Sequence, residues 1–158
     1  MDKTTLTTAM RTSISDVLET MFFLPIDASD AEKIEDLWPA DQAGMLAARL
    51  NYKGPIRGHC VLYMPEKLAI DITADFLGEE SAGLADDQAH GTVKEIINMI
   101  VGNTFGLLDP QAVFDLDIPS LVSFSENYAG DAQAGQEIFL ALDTLENQLA
   151  IRLCFSSS

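Results

Sequence analysis

The sequence predicts an α+β fold in which helices pack on one face of a largely antiparallel sheet. Three long segments repeat apolar residues at the three- and four-residue steps of amphipathic helices. Shorter runs of strand-forming residues are bounded by glycine, proline and asparagine. The order is helix, two strands, two helices and then several strands, which favours an antiparallel sheet over alternating βαβ units. At 158 residues, the whole chain 1–158 is expected to form one domain.

The first helix is predicted over Thr5 to Phe23, where Pro25 prevents its continuation. Its expected apolar stripe contains Leu6, Met10, Ile14, Val17, Leu18 and Met21. The polar and acidic segment Ile26 to Gly44 is interpreted as a loop, with a short helical turn near 31–37. Strands Met45 to Tyr52 and Ile56 to Met64 then form a hairpin around Lys53-Gly54-Pro55.

Pro65 ends the second of these strands, and a helix from Glu66 to Leu77 is stopped by Gly78. After an acidic loop, the longest helix is predicted over Asp87 to Leu108. One apolar face of this helix is formed by Val93, Ile96, Ile97, Ile100 and Val101. It is the most strongly periodic element of the chain.

The remaining third of the chain is predicted to be mostly strand. Short strands are expected over Ala112 to Ile118 and Leu121 to Phe124, and a mobile loop over Glu126 to Gln136. Two closing strands follow, Glu137 to Leu142 and Gln148 to Phe155. In the last strand Leu149, Ile151, Leu153 and Phe155 alternate with Ala150, Arg152 and Cys154, which indicates a half-buried antiparallel sheet.

Charge limits the classes of partner. Nine basic against 25 acidic residues give a net charge of −16, which disfavours nucleic acid and anionic membranes and favours a protein with a Lys or Arg patch. No signal-peptide core and no membrane-spanning run of apolar residues is present, so a cytoplasmic location is expected. Cys60 and Cys154 lie in apolar strands and are expected to be buried and reduced.

Established catalytic or metal-binding patterns are not apparent in the sequence. His59 and Cys60 are adjacent in a strand and therefore point to opposite faces, without a second pair of ligands at metal-site spacing. The other histidine, His90, has no recognisable partner for a Ser-His-Asp or Cys-His arrangement.

The candidate functional residues are Glu95 and Asn98 on the longest helix. They stand three residues apart, so both project from one exposed face within a single turn. A carboxylate can bind a cation, while an amide can donate to and accept from one water molecule. A plain solvated face is the alternative interpretation of the same spacing.

The segment K-E-I-I-N-M-I-V-G resembles the signature helix of the CheC/CheX/FliY family, phosphatases of the chemotaxis response regulator CheY. The family motif is an Asp or Ser, three residues, a Glu, two residues and an Asn. Glu95 and Asn98 match the last two positions, whereas Gly91 departs from the first. The resemblance covers nearly the whole chain and is greatest to CheX, the member with a single site.

A second, degenerate copy of the motif can be placed on the first helix. Aligned in this way, Ser15 and Glu19 occupy the first two motif positions, but Phe22 stands where Asn98 stands in the other copy. A phenyl ring has neither donor nor acceptor for a water molecule. We therefore expect no second active site, and chance similarity between two amphipathic helices remains an alternative.

The resemblance implies that Asn98 enters the active site of a phosphorylated receiver and orients the attacking water, while Glu95 pairs with a receiver lysine. It also implies that Mg²⁺ is supplied by the response regulator, so that no cofactor of its own is needed, and that the protein is a homodimer. The alternative is a non-catalytic adaptor of the same fold that binds a response regulator or the flagellar switch. A third hypothesis is a dimeric structural domain in which the polar pair is only solvated surface.

Overall fold

The computed structural model describes residues 2–130 and 135–157. The first helix, α1, runs over Lys3–Ser15 and continues as a π-helical turn over Asp16–Met21. The other helices are α2, Glu66–Leu77, and α3, Asp86–Leu108. The strands are β1 Asp27–Ala28, β2 Met45–Lys53, β3 Ile56–Pro65, β4 Asp115–Leu116, β5 Ser120–Val122, β6 Gln136–Asp143 and β7 Gln148–Ser157.

Within the described residues these strands form one antiparallel sheet in the order β1-β6-β7-β3-β2-β4, with β5 also paired to β2. The β2–β3 hairpin brings Leu50 opposite Cys60, and β3 pairs with β7 so that Cys60 lies opposite Leu153. Side chains of alternate residues on these strands meet the helices and form the main core. The predicted α+β fold with helices on one face of an antiparallel sheet is confirmed.

Two local features differ from the sequence-based expectation. The segment predicted as a loop over 26–44 contains the short strand β1, whereas its 3₁₀ turn at Ile34–Asp36 confirms the short helical turn expected near 31–37. The strands predicted over 112–118 and 121–124 are shorter, two and three residues long. Gly78 ends α2 as expected, since its φ of 69° is a left-handed conformation that glycine adopts without strain.

The sheet face away from the helices carries a second, aromatic cluster. Its buried members are Ile34, Trp38, Ala47, Val61, Tyr63, Phe124 and Ala150. Tyr128 packs on Phe124 and donates a hydrogen bond of 2.6 Å to the carbonyl of Trp38. The first residues of the segment predicted as a mobile loop are thereby bound to the sheet, and residues 131–134 of that segment lie outside the described part of the chain.

Arg152 holds this cluster together from the middle of β7. Its guanidinium donates to the hydroxyl of Tyr63 at 2.6 Å and to the carbonyl of Tyr128 at 3.0 Å. Glu137 balances the buried charge, with its Oε1 3.0 Å from Nε of Arg152. Burial raises the pKa of Tyr63 well above its ordinary value, so the phenol stays neutral and donates to the carbonyl of Asn127.

Both cysteines are buried thiols that form no disulfide, as predicted. Burial also raises the pKa of the Cys60 thiol far above its ordinary value, which keeps it protonated and unreactive. Among the residues that the structure describes, no helix combines the length and hydropathy needed to cross a membrane.

Candidate functional site

The site is built on α3, whose 23 residues span about 35 Å. The side chain of Gln88 accepts a hydrogen bond of 3.0 Å from the backbone of Ala85 and secures the start of the helix. The predicted apolar face is confirmed, since its five residues are all buried against the sheet and the other helices. This packing fixes the rotation of α3 and therefore the direction in which its polar residues point.

Glu95 and Asn98 lie on the outward side of this helix, as the spacing predicts. Glu95 is exposed and Asn98 is half-buried. Neither side chain forms a hydrogen bond or ion pair with another residue within the described part of the chain. Both therefore keep their full bonding capacity for a partner or for water.

Asn98 lines an open groove between α3 and the end of the first helix, with a cavity volume of about 530 Å³. The wall from α3 consists of Asn98, Met99, Gly102 and Asn103. The wall from the first helix consists of Asp16, Val17, Thr20 and Met21. Glu95 does not line the groove and stands one turn before Asn98 along α3.

The groove residues of the first helix were not identified from the sequence. Asp16, Thr20 and Met21 belong to the π-helical turn, in which the amide of Phe22 donates to the carbonyl of Val17, five residues earlier, at 3.2 Å. A π turn rotates all later side chains relative to a regular α-helix. As a result Met21, predicted to be in the apolar stripe, is 48% exposed, whereas Phe22 is buried.

The degenerate motif copy faces a different surface. Ser15 and Glu19 are hydrogen-bonded to each other and line a separate, smaller groove of about 170 Å³. Phe22 is only 5% exposed, and its ring centroid lies 5.1 Å from that of Phe76 on α2. The three aligned positions thus have partners within the protein, in contrast to Glu95 and Asn98.

Gly91, the departure from the family motif, is exposed near the start of α3. A Cβ atom added at this position would have no neighbour within 4 Å. The structure therefore has room for the Asp or Ser side chain of the motif. No contact with the described residues excludes a larger side chain at position 91.

Gly91→Ala is expected to raise the free energy of unfolding by about 0.5–1 kcal/mol, because alanine loses less backbone entropy in a helix. The matched control is Gly78→Ala, which should lower stability because the φ of residue 78 is 69°. Urea denaturation of the two variants measures both effects. A loss of stability in Gly91→Ala would contradict the open environment of this position.

Residues of metal-binding type do not cluster in the part of the chain that the structure describes. Within residues 2–130 and 135–157, no group of three or more His, Cys, Asp or Glu side chains is arranged to hold a metal ion. His59 is buried on the sheet face away from α3, opposite Cys154 in the strand pairing, and His90 is half-buried on α3.

Residues 46–142, more than half of the chain, match the family described as chemotaxis phosphatase CheX. The chain belongs to the CheX family. A search of curated proteins gives no significant match.

Solved structures support the CheX-type fold. The chemotaxis protein CheX from Vibrio vulnificus superposes with a TM-score of 0.71 at 24% identity, covering 96% of both chains. A CheC-like superfamily protein from Shewanella sp. PV-4 gives 0.74 at 21% identity, covering 99% of this chain and 100% of the other. A third relative comes from the CheX-CheY-BeF₃-Mg²⁺ complex of Borrelia burgdorferi, with a TM-score of 0.70 and 14% identity, covering 96% and 98%.

Proposed function

We propose that this CheX-family protein hydrolyses the aspartyl phosphate of a CheY-like response regulator. The observation that carries the proposal is the environment of Asn98. Its amide stands at an open groove on the helix that carries the family motif, with no partner among the described residues. Glu95 lies one turn away with its carboxylate also unengaged.

The reaction needs little covalent chemistry from the protein. A water oxygen attacks the phosphorus atom, the bond between phosphorus and the aspartyl oxygen breaks, and inorganic phosphate and a free carboxylate result. The difficult part is to hold the water in line with the breaking bond. We assign this role to Asn98, because an amide can accept a hydrogen bond from the water and donate another to the phosphoryl group.

The negative charge of the phosphoryl group is balanced on the partner's side in this proposal. Mg²⁺ is bound by oxygen ligands, and a receiver that carries its own carboxylates would supply it. In support, the complex from Borrelia burgdorferi contains Mg²⁺ together with CheY and BeF₃. The protein itself would then contribute no cofactor.

The decisive experiment mixes catalytic amounts of the protein with each phosphorylated CheY-like receiver of the source organism and measures phosphate release. Faster release than from the receiver alone, with many turnovers per protomer, supports the proposal. Unchanged release from every receiver would overturn it.

A non-catalytic adaptor is the second candidate, and Gly91 is the observation that favours it. The family motif has Asp or Ser at this position, and glycine has no side chain to fulfil whatever role that group has. An adaptor would bind a phosphorylated receiver without accelerating phosphate release. The same assay, combined with a binding measurement, separates the two functions.

Substitution of Glu95 is expected to weaken the complex with the receiver. If Glu95 pairs with a receiver lysine, Glu95→Ala should raise the Kd roughly tenfold, and Glu95→Lys should raise it further through repulsion. Added salt should weaken the wild-type complex and have less effect on the variants. Titration calorimetry at two salt concentrations measures both trends.

The control for this experiment is Glu146→Lys, which reverses an exposed charge in the turn between β6 and β7. It should leave the affinity close to that of the wild type. If neither the Glu95 substitutions nor the salt concentration changes the Kd for the receiver, this carboxylate is only solvated surface.

We also propose that residues 1–158 form one domain and that the protein acts in the cytoplasm and, from the family resemblance, that it is a homodimer. Sedimentation velocity of the purified protein tests the oligomeric state. A single species with the mass of one chain would contradict the dimer.

A further inference from the structure

The first helix ends in a left-handed residue that is not glycine. Phe23 has a φ of 57°, and it is the one non-glycine residue with a positive φ in the described part of the chain. The conformation follows from the helix end, where the amide of Leu24 donates to the carbonyl of Leu18 at 2.8 Å. Glycine is the usual residue at this position because a Cβ atom strains the left-handed backbone.

The side chain of Phe23 adds a second unfavourable feature. Its ring is 73% exposed to water, whereas the neighbouring Phe22 is buried in the core. A glycine at position 23 would remove both the strain and the exposed aromatic surface. Strained backbone and exposed apolar surface are both features that concentrate at functional sites.

Phe23 follows closely after the stretch of the first helix that lines the groove containing Asn98. Met21, which lines this groove and is 48% exposed, is two residues away, so the two Cα atoms are within about 7 Å of each other. Phe76 on α2 is 54% exposed and contacts the ring of Phe22. Met21, Phe23 and Phe76 form an exposed set that we call the apolar rim.

The charges around the rim indicate which partner fits it. Asp16 lies in the groove wall and Glu95 stands one turn before Asn98, and the chain as a whole carries a net charge of −16. Two copies of this surface would repel each other. A receiver with basic groups around its phosphorylation site complements the charge and would cover the apolar rim as it approached Asn98.

We propose that Phe23, supported by Met21, is the apolar anchor with which the protein binds the receiver domain beside Asn98. This inference rests on the proposed function and adds a residue that determines affinity and partner choice. Large aromatic side chains with adjacent methionine are well suited to such anchors, because they bury much area and adapt to the opposing surface.

The test compares Phe23→Gly, Phe23→Tyr and Leu145→Gly with the wild type. Leu145 is a matched control, since it is 98% exposed in the β6–β7 turn. That turn lies beside the start of α2, about 15 Å along this helix from Phe76. Binding is measured to BeF₃⁻-activated CheY-like receivers of the source organism, and turnover to the same receivers when phosphorylated.

Phe23→Gly is expected to raise Kd and KM at least tenfold while leaving kcat close to that of the wild type. The variant should also unfold at a higher urea concentration than the wild type. Phe23→Tyr should keep most of the affinity, and Leu145→Gly all of it. An unchanged Kd in Phe23→Gly overturns the inference while leaving the proposed function intact. If Phe23→Gly dissociates an oligomer of this protein while its Kd for the receiver is unchanged, the inference is overturned, and the partner of Phe23 is a second copy of the chain. A wild-type protein that neither binds nor dephosphorylates any receiver would overturn both proposals.

Discussion

Asn98→Ala is expected to slow dephosphorylation of the receiver by roughly 30- to 900-fold. This range corresponds to a loss of about 2–4 kcal/mol of transition-state stabilisation, as for other single polar groups positioned at a reacting centre. The loss should occur in kcat, because the amide orients the water after the receiver has bound. Phosphate release under saturating receiver measures it.

Folding should tolerate this substitution. The amide of Asn98 has no hydrogen-bond partner among the described residues, and alanine is the better helix former. The matched control is Asn103→Ala, since Asn103 lines the same groove five residues further along α3. Equal rates for Asn98→Ala and the wild type would overturn the assignment. Equal losses in both variants would show that the groove, rather than one amide, is responsible.

Phe22→Ala is expected to lower the free energy of unfolding by about 3–5 kcal/mol. The ring is 5% exposed, belongs to the main core and packs on Phe76. Its removal leaves a cavity between the first helix and α2 that the surrounding residues fill only in part. Urea denaturation followed by circular dichroism measures the effect.

The adjacent Phe23→Ala is the control, because its exposed ring should contribute little to stability. Phe22→Asn tests the degenerate motif directly. It should destabilise the protein and give no second site, since a buried amide without partners costs about 1–3 kcal/mol. Activity per folded protomer should be unchanged in Phe22→Ala. A well-folded but inactive Phe22→Ala protein would place the site on the first helix instead.

The elements that the sequence predicts well are those with a regular apolar period. The positions of α2, α3, β2, β3, β6 and β7 follow from helical or alternating patterns that local burial imposes. The same periodicity places Glu95 and Asn98 on the exposed side of α3. Predicting the α3 side of the candidate site therefore required only the geometry of one helix.

The other half of the groove depends on the π turn, which the periodicity cannot reveal. In a regular helix Met21 would continue the stripe of Met10, Ile14 and Val17, and the turn moves Phe22 into that place instead. Asp16 and Thr20 line the groove together with residues of α3. Which helix faces which is decided by tertiary packing rather than by the local sequence.

The aromatic cluster on the outer sheet face was missed for a related reason. Trp38 and Tyr128 lie in segments rich in polar residues that are interpreted as loops, and Phe124 ends a short predicted strand. The hydrogen bond from Tyr128 to Trp38 joins positions 90 residues apart, so no window of local sequence contains both. Only Arg152, a charged residue in an otherwise apolar strand, was a sign that polar contacts cover this face.

The strand order has a consequence for how the chain folds during synthesis. Strand β7 is translated after every other strand of the sheet, yet it lies between β6 and β3 in the middle. Until residues 148–157 leave the ribosome, β3 has no neighbour on that side, and its apolar residues Cys60, Leu62 and Met64 are only partly covered. The nascent chain therefore passes through a stage in which the future centre of the sheet is an open edge, when chaperones would be of most use.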